Sequence, residues 1–235
     1  MMNHKITEPA YPVQVIMAAL NEAPGIGPTI AEIRDVLGDV PILVIDGKSN
    51  DDTAQIAKSY GAEVIVQNGE GKGEALSEAF RQSSLKMDYT VLTDADYTYP
   101  AKHIPAMIRV LEKNPHIGMV CGNRFNNHLD KKALRNIFYM GNRMLAWAHN
   151  MFNGVPLSDP LTGLRVIRTE ALRGLHLKSK SFDVEVELNH TVERRGFTIG
   201  EIPIAYRERL GKKKLRVSHG ATILKRILSE TAFPS

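Results

Sequence analysis

Asp94-Ala95-Asp96 places two carboxylates at i and i+2, directly after an apolar run. Mg²⁺ and Mn²⁺ take oxygen ligands, usually one or two carboxylates with phosphate oxygens completing the shell. Phosphate and carboxylate repel each other, so a metal between them is what makes such a pair sensible beside a diphosphate. The same tripeptide also serves as a turn or a helix cap. A second constellation is Asp46 with Ser49, Asp51 and Thr53. An Asp at a strand end can accept hydrogen bonds from a ribose or a base, whereas Asp51 or Asp52 caps the helix that follows. The third is Gly69-Glu70-Gly71-Lys72-Gly73. It lacks the Ser/Thr of a P-loop and the G-x-G-x-x-G spacing. A Gly-rich helix opening is still an anion site, to which Lys72 adds a charge; the alternative is a plain flexible connection.

These groups need elements to bring them together. Apolar runs at 13–20, 42–45, 63–66 and 89–92 alternate with helical spacing at 29–37, 53–60, 73–85 and 101–113. Strand and helix alternating at this spacing predict a mostly parallel central sheet with helices on both faces. Ligands of such sheets sit beyond the carboxyl ends of the strands. There the chain carries Asn21-Glu22, Asp46, Asn68 to Lys72 and Asp94/Asp96, so one crevice is expected to collect them. The second half predicts strands at 117–121, 163–167 and 197–204 (the last broken by Pro203), and helices at 134–152, 183–195 and 220–228. Without repeats or an obvious linker, residues 1–235 read as a single α/β catalytic domain.

Composition narrows the class. The 235 residues are 43% hydrophobic and 24% charged, with a net charge of +4, which excludes a disordered or collagen-like chain. No run approaches the ~18 apolar residues of a transmembrane helix. Met1 to Lys5 lacks the apolar core of a signal peptide, and Cys121 is the one cysteine. A reducing, cytoplasmic setting is expected. The charge is uneven: residues 205–235 carry +6 and residues 124–143 carry +4, leaving −6 for the rest. Such segments are either solvated faces or surfaces for phosphate. No nucleic-acid motif accompanies them, so no nucleic acid is expected as a partner. Residues 131–153 combine Lys131, Lys132, Arg135 and Arg143 with Phe138, Tyr139, Met144, Leu145, Trp147 and Phe152. They form a basic amphipathic helix that either lies in a membrane interface or packs as a core helix with a polar outer face. Residues 212–231 add a second candidate for membrane contact.

Seven segments in order resemble the inverting glycosyltransferases of family 2, and within it the polyprenyl-phosphate (dolichol-phosphate) hexose synthases. Ala19-Leu20-Asn21-Glu22 is similar to the family's Tyr-Asn-Glu. Val44 to Thr53 resembles its Asp-Asp-Gly-Ser-x-Asp-Gly-Thr, and Gly71 to Leu76 its Gly-Lys-Gly-x-Ala. Asp94-Ala95-Asp96 matches the metal motif. Gly122-Asn123-Arg124-Phe125 resembles Gly-Ser-Arg-Tyr, and Asp159 to Arg165 resembles Asp-x-Thr-Ser-Gly-Phe-Arg. Pro203-Ile204 with Arg209 to Leu215 resembles Pro-Ile…Arg-x-Gly-x-Ser-Lys-Leu. Three positions depart: Leu20 stands where a Tyr often stacks on the base, Gly47 replaces the second Asp, and Thr98 stands where some relatives have a Gln ligand.

The resemblance implies a GT-A type fold, a nucleoside-diphosphate sugar (UDP-glucose or GDP-mannose) and Mg²⁺ or Mn²⁺. It carries Glu22 and Asp46 to the nucleoside pocket and Asp94 and Asp96 to the sugar and metal region, with Asp96 as direct metal ligand; Leu20, Lys72, Arg209 and Lys214 are the further candidates for donor binding. A polyprenyl phosphate acceptor is already mostly ionised at neutral pH, its second pKa being about 6, and needs alignment rather than a base. Arg124 and Arg135 are the candidates to hold it, with Asp159 orienting Arg165 or the acceptor region. With a saccharide hydroxyl as acceptor, Asp159 becomes the candidate base. A silent sugar-nucleotide binder is the third reading. The expected location is the cytoplasmic face of a membrane, as a peripheral enzyme or a catalytic domain cut before its anchor.

Overall fold

The computed structural model describes residues 11–82, 85–125, 137–153, 156–214 and 219–232. Seven strands form one sheet: β1 (Val13–Ala19), β2 (Ile42–Asp46), β3 (Glu63–Val66), β4 (Tyr89–Asp94), β5 (Ile117–Asn123), β6 (Arg165–Arg168) and β7 (Thr198–Pro203), in the order β3-β2-β1-β4-β6-β5-β7. All pairings are parallel except those of β6, which runs against both β4 and β5. Hydrophobic periodicity places a strand but carries no sign for its direction, so the reversal of β6 was not expected.

Helices cover both faces. α1 (Ala23–Leu37), α2 (Thr53–Ser59) and α4 (Ile104–Lys113) pack on one side, and α3 (Lys72–Gln82) and α6 (Val184–Arg194) on the other. β1 shows why both sides must be covered. Val15 and Met17 enter the first core while Ile16 enters the second, and all three are buried, as a parallel sheet between helical layers requires. α5 (Ile137–Asn153) and α7 (His219–Ala232) form a third cluster, in which Leu145 and Ala148 meet Ile223, Ile227 and Val186. Among the described residues no helix is long and apolar enough to cross a membrane.

α1 begins six residues earlier than its spacing predicted. Pro24 sits in the first turn, where its missing N–H has no partner to lose. Pro28 lies inside the helix, which continues because Ile26, Ile30, Ile33 and Leu37 are all buried in the first core. Tertiary packing outweighs the local penalty. The strand ends are level: Ala19 pairs with Asp46, and Ala18 with Asp94. The expected crevice follows directly from that register.

Candidate functional site

The loops after β1, β2 and β4 are each bent through a left-handed residue that is not glycine: Asn21 (φ 49°), Lys48 (φ 64°) and Tyr97 (φ 67°). Strained backbone of this kind collects at functional sites. The loops are tied to one another. The Asn21 N–H donates to Ser49 Oγ (2.8 Å), the Asn50 N–H to Asn21 Oδ1 (2.8 Å), and the Glu22 N–H to Thr53 Oγ1 (2.8 Å). Asp46 is buried at the end of β2 and accepts from the Ser49 N–H (3.0 Å) and hydroxyl (2.6 Å). Leu20 remains exposed beside Gly47.

Over these loops lies the segment after β7. The Arg207 N–H donates to the Thr98 carbonyl (2.9 Å) and the Leu210 N–H to the Asp96 carbonyl (3.0 Å). That places Arg209 Nη2 between Glu22 Oε1 (2.6 Å) and Asp96 Oδ2 (3.0 Å), and Lys214 Nζ on Glu22 Oε1 (2.5 Å) and the Asn21 carbonyl (2.7 Å). The other Asp96 oxygen accepts from the Thr98 N–H and hydroxyl. Arg207 forks onto Glu32. Much of the basic 205–214 stretch is therefore turned inward as counter-ions rather than forming a free patch.

Electrostatics follow burial. Burial pushes the Glu22 carboxyl above its usual range against the pull of Lys214 and Arg209. Burial and the neighbouring Asp94 push Asp96 up as well. Burial opposes the charge of Asp94 too, yet Lys72 holds that carboxyl below the ordinary range. Two buried atoms here have no partner: Glu22 Oε2, an acceptor, and Arg209 Nε, a donor. Unpaired buried polar atoms are costly, about 1–3 kcal/mol each, and these two suit a ligand carrying both donors and acceptors.

Arg124, whose charge is felt at Asp94, grips Asp159 bidentately, Nε to Oδ2 and Nη2 to Oδ1, both at 2.7 Å. Its guanidinium lies 5.4 Å from the centre of the Tyr206 ring. Asp159 is fully buried, and Glu201 pins its backbone N–H at 2.8 Å.

Two of the expected site residues are otherwise engaged. The glycines at 69–73 form no phosphate cradle. The Gly73 N–H donates to the Lys180 carbonyl (3.2 Å), and a side chain at Gly73 would meet the Ser179 carbonyl oxygen at 2.2 Å. Gly71 and Gly73 are small because the 179–181 backbone crosses there. Lys72 is accordingly no open anion ligand: its Nζ is held between Asp94 Oδ1 (2.7 Å) and Glu185 Oε1 (2.8 Å). Burial works against that charge, but the two carboxylates raise the Lys72 pKa and keep it protonated. Arg165 is likewise fully engaged within the fold. It is 1% exposed and donates to the Pro160 carbonyl (2.7 Å), the Thr162 carbonyl (3.0 Å) and Asn189 Oδ1 (2.5 Å). Asp159 pairs with Arg124 instead of Arg165. Arg165 shapes the loop that carries Asp159. Arg135 lies outside the described residues, as do Lys131 and Lys132.

Sequence motifs missed Glu185, Tyr206 and Glu201. Glu185 and Glu201 meet their partners only through the fold, and no spacing announces them.

The family model for glycosyl transferase family 2 matches residues 14–174. The chain is a family 2 glycosyltransferase. This transferase is 32% identical over 216 residues to the dolichyl-phosphate hexose transferase of Haloferax volcanii, covering 91% of each chain. It is 32% identical over 194 residues to glycosyltransferase AglJ of the same organism, covering 83% of this chain but only 62% of AglJ. An undecaprenyl-phosphate mannosyltransferase of Micrococcus luteus is 28% identical over 219 residues, covering 86% and 87%. Among solved structures, glucosyl-3-phosphoglycerate synthase of Mycobacterium tuberculosis in complex with UDP superposes with a TM-score of 0.73 at 24% identity, covering 95% of the transferase and 81% of that chain. The transferase thus has the GT-A type fold.

The donor set of the transferase fits a divalent metal. Asp96 and Asp94 offer hard carboxylate oxygens, and the cation already beside Asp96 Oδ2 is a guanidinium. Among the described residues no three His, Cys, Asp or Glu side chains gather into a closed cage. Mg²⁺ and Mn²⁺ at phosphate sites are usually bound by one or two carboxylates with the substrate supplying the rest.

Proposed function

We propose that this transferase moves a hexose, with inversion, from a nucleoside-diphosphate sugar to a polyprenyl phosphate at a membrane surface. The observation that carries the donor half is the cluster at the strand ends. Glu22 and Asp96 are bridged by Arg209, and a buried acceptor (Glu22 Oε2) and a buried donor (Arg209 Nε) there lack partners. Glu22 and Asp46 take the nucleoside, while Arg209 and Lys214 turn from the carboxylates to the diphosphate. Asp96, helped by Asp94, would hold Mg²⁺ or Mn²⁺, which when bound supplies charge stabilisation for the departing diphosphate.

The acceptor half rests on Arg124 and Asp159. Asp159 is fully buried and both its oxygens face the Arg124 guanidinium. A carboxylate so engaged is poorly placed to take a proton from a saccharide hydroxyl, which weighs against that acceptor. A phosphate monoester needs no base. Its oxygen attacks the anomeric carbon opposite the diphosphate, the new C–O bond forming as the bond to the diphosphate breaks. Arg124, oriented by Asp159 and Tyr206, aligns the attacking phosphate. The names of the dolichyl- and undecaprenyl-phosphate relatives support this choice.

The membrane reading rests on α5. Met140, Met144, Trp147 and Met151 lie at helical spacing and are 57–64% exposed, and Leu224 and Leu228 of α7 are exposed as well. A large apolar stripe open to solvent marks an interaction surface, and we assign it to the cytoplasmic face of a bilayer.

The deciding experiment offers UDP-glucose and GDP-mannose, with Mn²⁺, to polyprenyl phosphate and separately to an oligosaccharide. Lipid-linked hexose formed without any saccharide acceptor supports the proposal. Transfer to the oligosaccharide alone overturns it.

A further inference from the structure

Glu185 belongs to none of the motifs, yet it enters the site. It lies in the first turn of α6, between Asp183 and Glu187, and all three are buried. Its neighbours have structural tasks. Asp183 Oδ2 accepts from Arg226 (2.9 Å), and Glu187 accepts from the N–H groups of Lys178 and Ser179 (2.7 Å each). Glu185 instead meets Lys72 Nζ at 2.8 Å, and Lys72 meets Asp94 at 2.7 Å. Its second oxygen, Oε2, is buried without a partner, and the residue lines a cavity of ≈ 10 Å³ with Lys72, Thr93, Gly163 and Arg165. That space holds about one water.

Charge counting gives the triad a meaning. A Lys72–Asp94 pair alone is neutral. With Glu185 added, two carboxylates share one ammonium and the group carries a net −1. Lys72 is drawn from both sides, so Asp94 keeps negative charge for the crevice. Pairing with an unshared ammonium would quench Asp94 just where a dication and a diphosphate are to be balanced. We infer that Glu185 is a positioning residue for metal-assisted donor binding: by holding Lys72 it sets the residual charge that Asp94 presents to the crevice. The inference rests on the donor-site reading above.

The test is calorimetric titration of UDP and of GDP, each with and without Mn²⁺, into three proteins with melting curves in parallel. In Glu185→Gln the gain in nucleotide affinity that Mn²⁺ confers falls by roughly 10–100-fold, as for groups that orient a metal's ligands, while metal-free nucleotide binding is unchanged. In Lys72→Gln/Glu185→Gln an entire ion pair is removed and Asp94 retains the net −1, so the Mn²⁺-dependent gain returns to the wild-type value. A full gain in the single variant, an equal loss with and without Mn²⁺, or no recovery in the double variant overturns the inference. Should the single variant not fold, the double variant decides alone: a gain below wild type is the overturning result. Wild-type protein binding neither nucleotide would instead remove the donor-site reading itself.

Discussion

At Asp96 each carboxylate oxygen is already engaged, one by Thr98 and one by Arg209. A ligand must therefore displace a cation already in place, and the carboxylate is what it competes for. Asp96→Ala is expected to lower hexose transfer by about 10²–10³-fold, the scale of losing a preorganised electrostatic group; turnover near wild type in a radiolabelled transfer assay would refute the assignment. Arg124 makes the opposite kind of contact, a planar fork on Asp159. Arg124→Lys keeps the charge and loses the fork. Its expected effect is a loss of about 1.5–3 kcal/mol in kcat/KM for the lipid phosphate, with nucleotide affinity unchanged in titration. At this scale the sequence disclosed what is local. Glu22, Asp46, Asp94 and Asp96 stand at strand ends, where apolar runs stop at acids, and that pattern can be read directly. Glu185 could not be found this way, because Lys72, which links it to Asp94, reaches it only in the assembled fold. Arg165 was opaque for a related reason: it stands in the apolar run 163–167, which shows no sign of the Pro160 and Thr162 carbonyl oxygens that enclose its side chain.

Elements set those residues by close approach. α1 opens against the Asp94–Asp96 loop so tightly that a Cβ on Gly25 would lie 2.7 Å from the Ala95 carbonyl oxygen and from the Asp96 Cα. Gly25→Ala should favour the isolated helix yet reduce stability in urea titration by about 1–3 kcal/mol, the range for overpacking, and impair transfer. α5 and α6 meet through His149 and His190, whose rings lie 5.7 Å apart with His149 Nδ1 and His190 Nε2 unpartnered. Burial pushes both imidazoles down to about 4. The unfolded chain takes up these protons near 6.5 and the folded chain only near 4, so stability is full above about 6.5 and falls as pH drops towards 4. Each site contributes up to roughly 3 kcal/mol. Urea midpoints at pH 7.5, 6 and 5 measure this slope, and His190→Asn should flatten it; a slope unchanged in that variant would exclude its source. The alternation that announced the βα units came from buried periodic faces and was legible. The early start of α1 was not, because two prolines masked a helix that its buried isoleucines sustain.

For the molecule as a whole, the net charge of +4 conceals internal pairing. Arg124, Arg207, Arg209 and Lys214 are committed to carboxylates. Among the described residues the apolar stripe of α5 faces outward, and Trp147, the chain's one tryptophan, reports on it. Vesicles of zwitterionic and anionic lipid should shift its fluorescence to the blue, more strongly with anionic lipid and less at high salt. Met144→Glu with Met151→Glu should abolish the shift while leaving the melting temperature and nucleotide binding intact; an undiminished shift would mean that another surface binds. The reversed strand β6 has a further consequence. Because β6 runs against its neighbour β5, the chain leaves β5 and returns to β6 at the same rim of the sheet. Everything between Asn123 and Arg165, with α5, Arg124 and Asp159, is topologically the tip of an enlarged β-hairpin. Loop length is inexpensive in closure entropy, so this stretch can be lengthened, shortened or exchanged between relatives while the nucleotide-facing strands keep their register. On the acceptor role proposed for Arg124 and Asp159, acceptor choice is separable from the donor half, which the register of β1, β2 and β4 fixes.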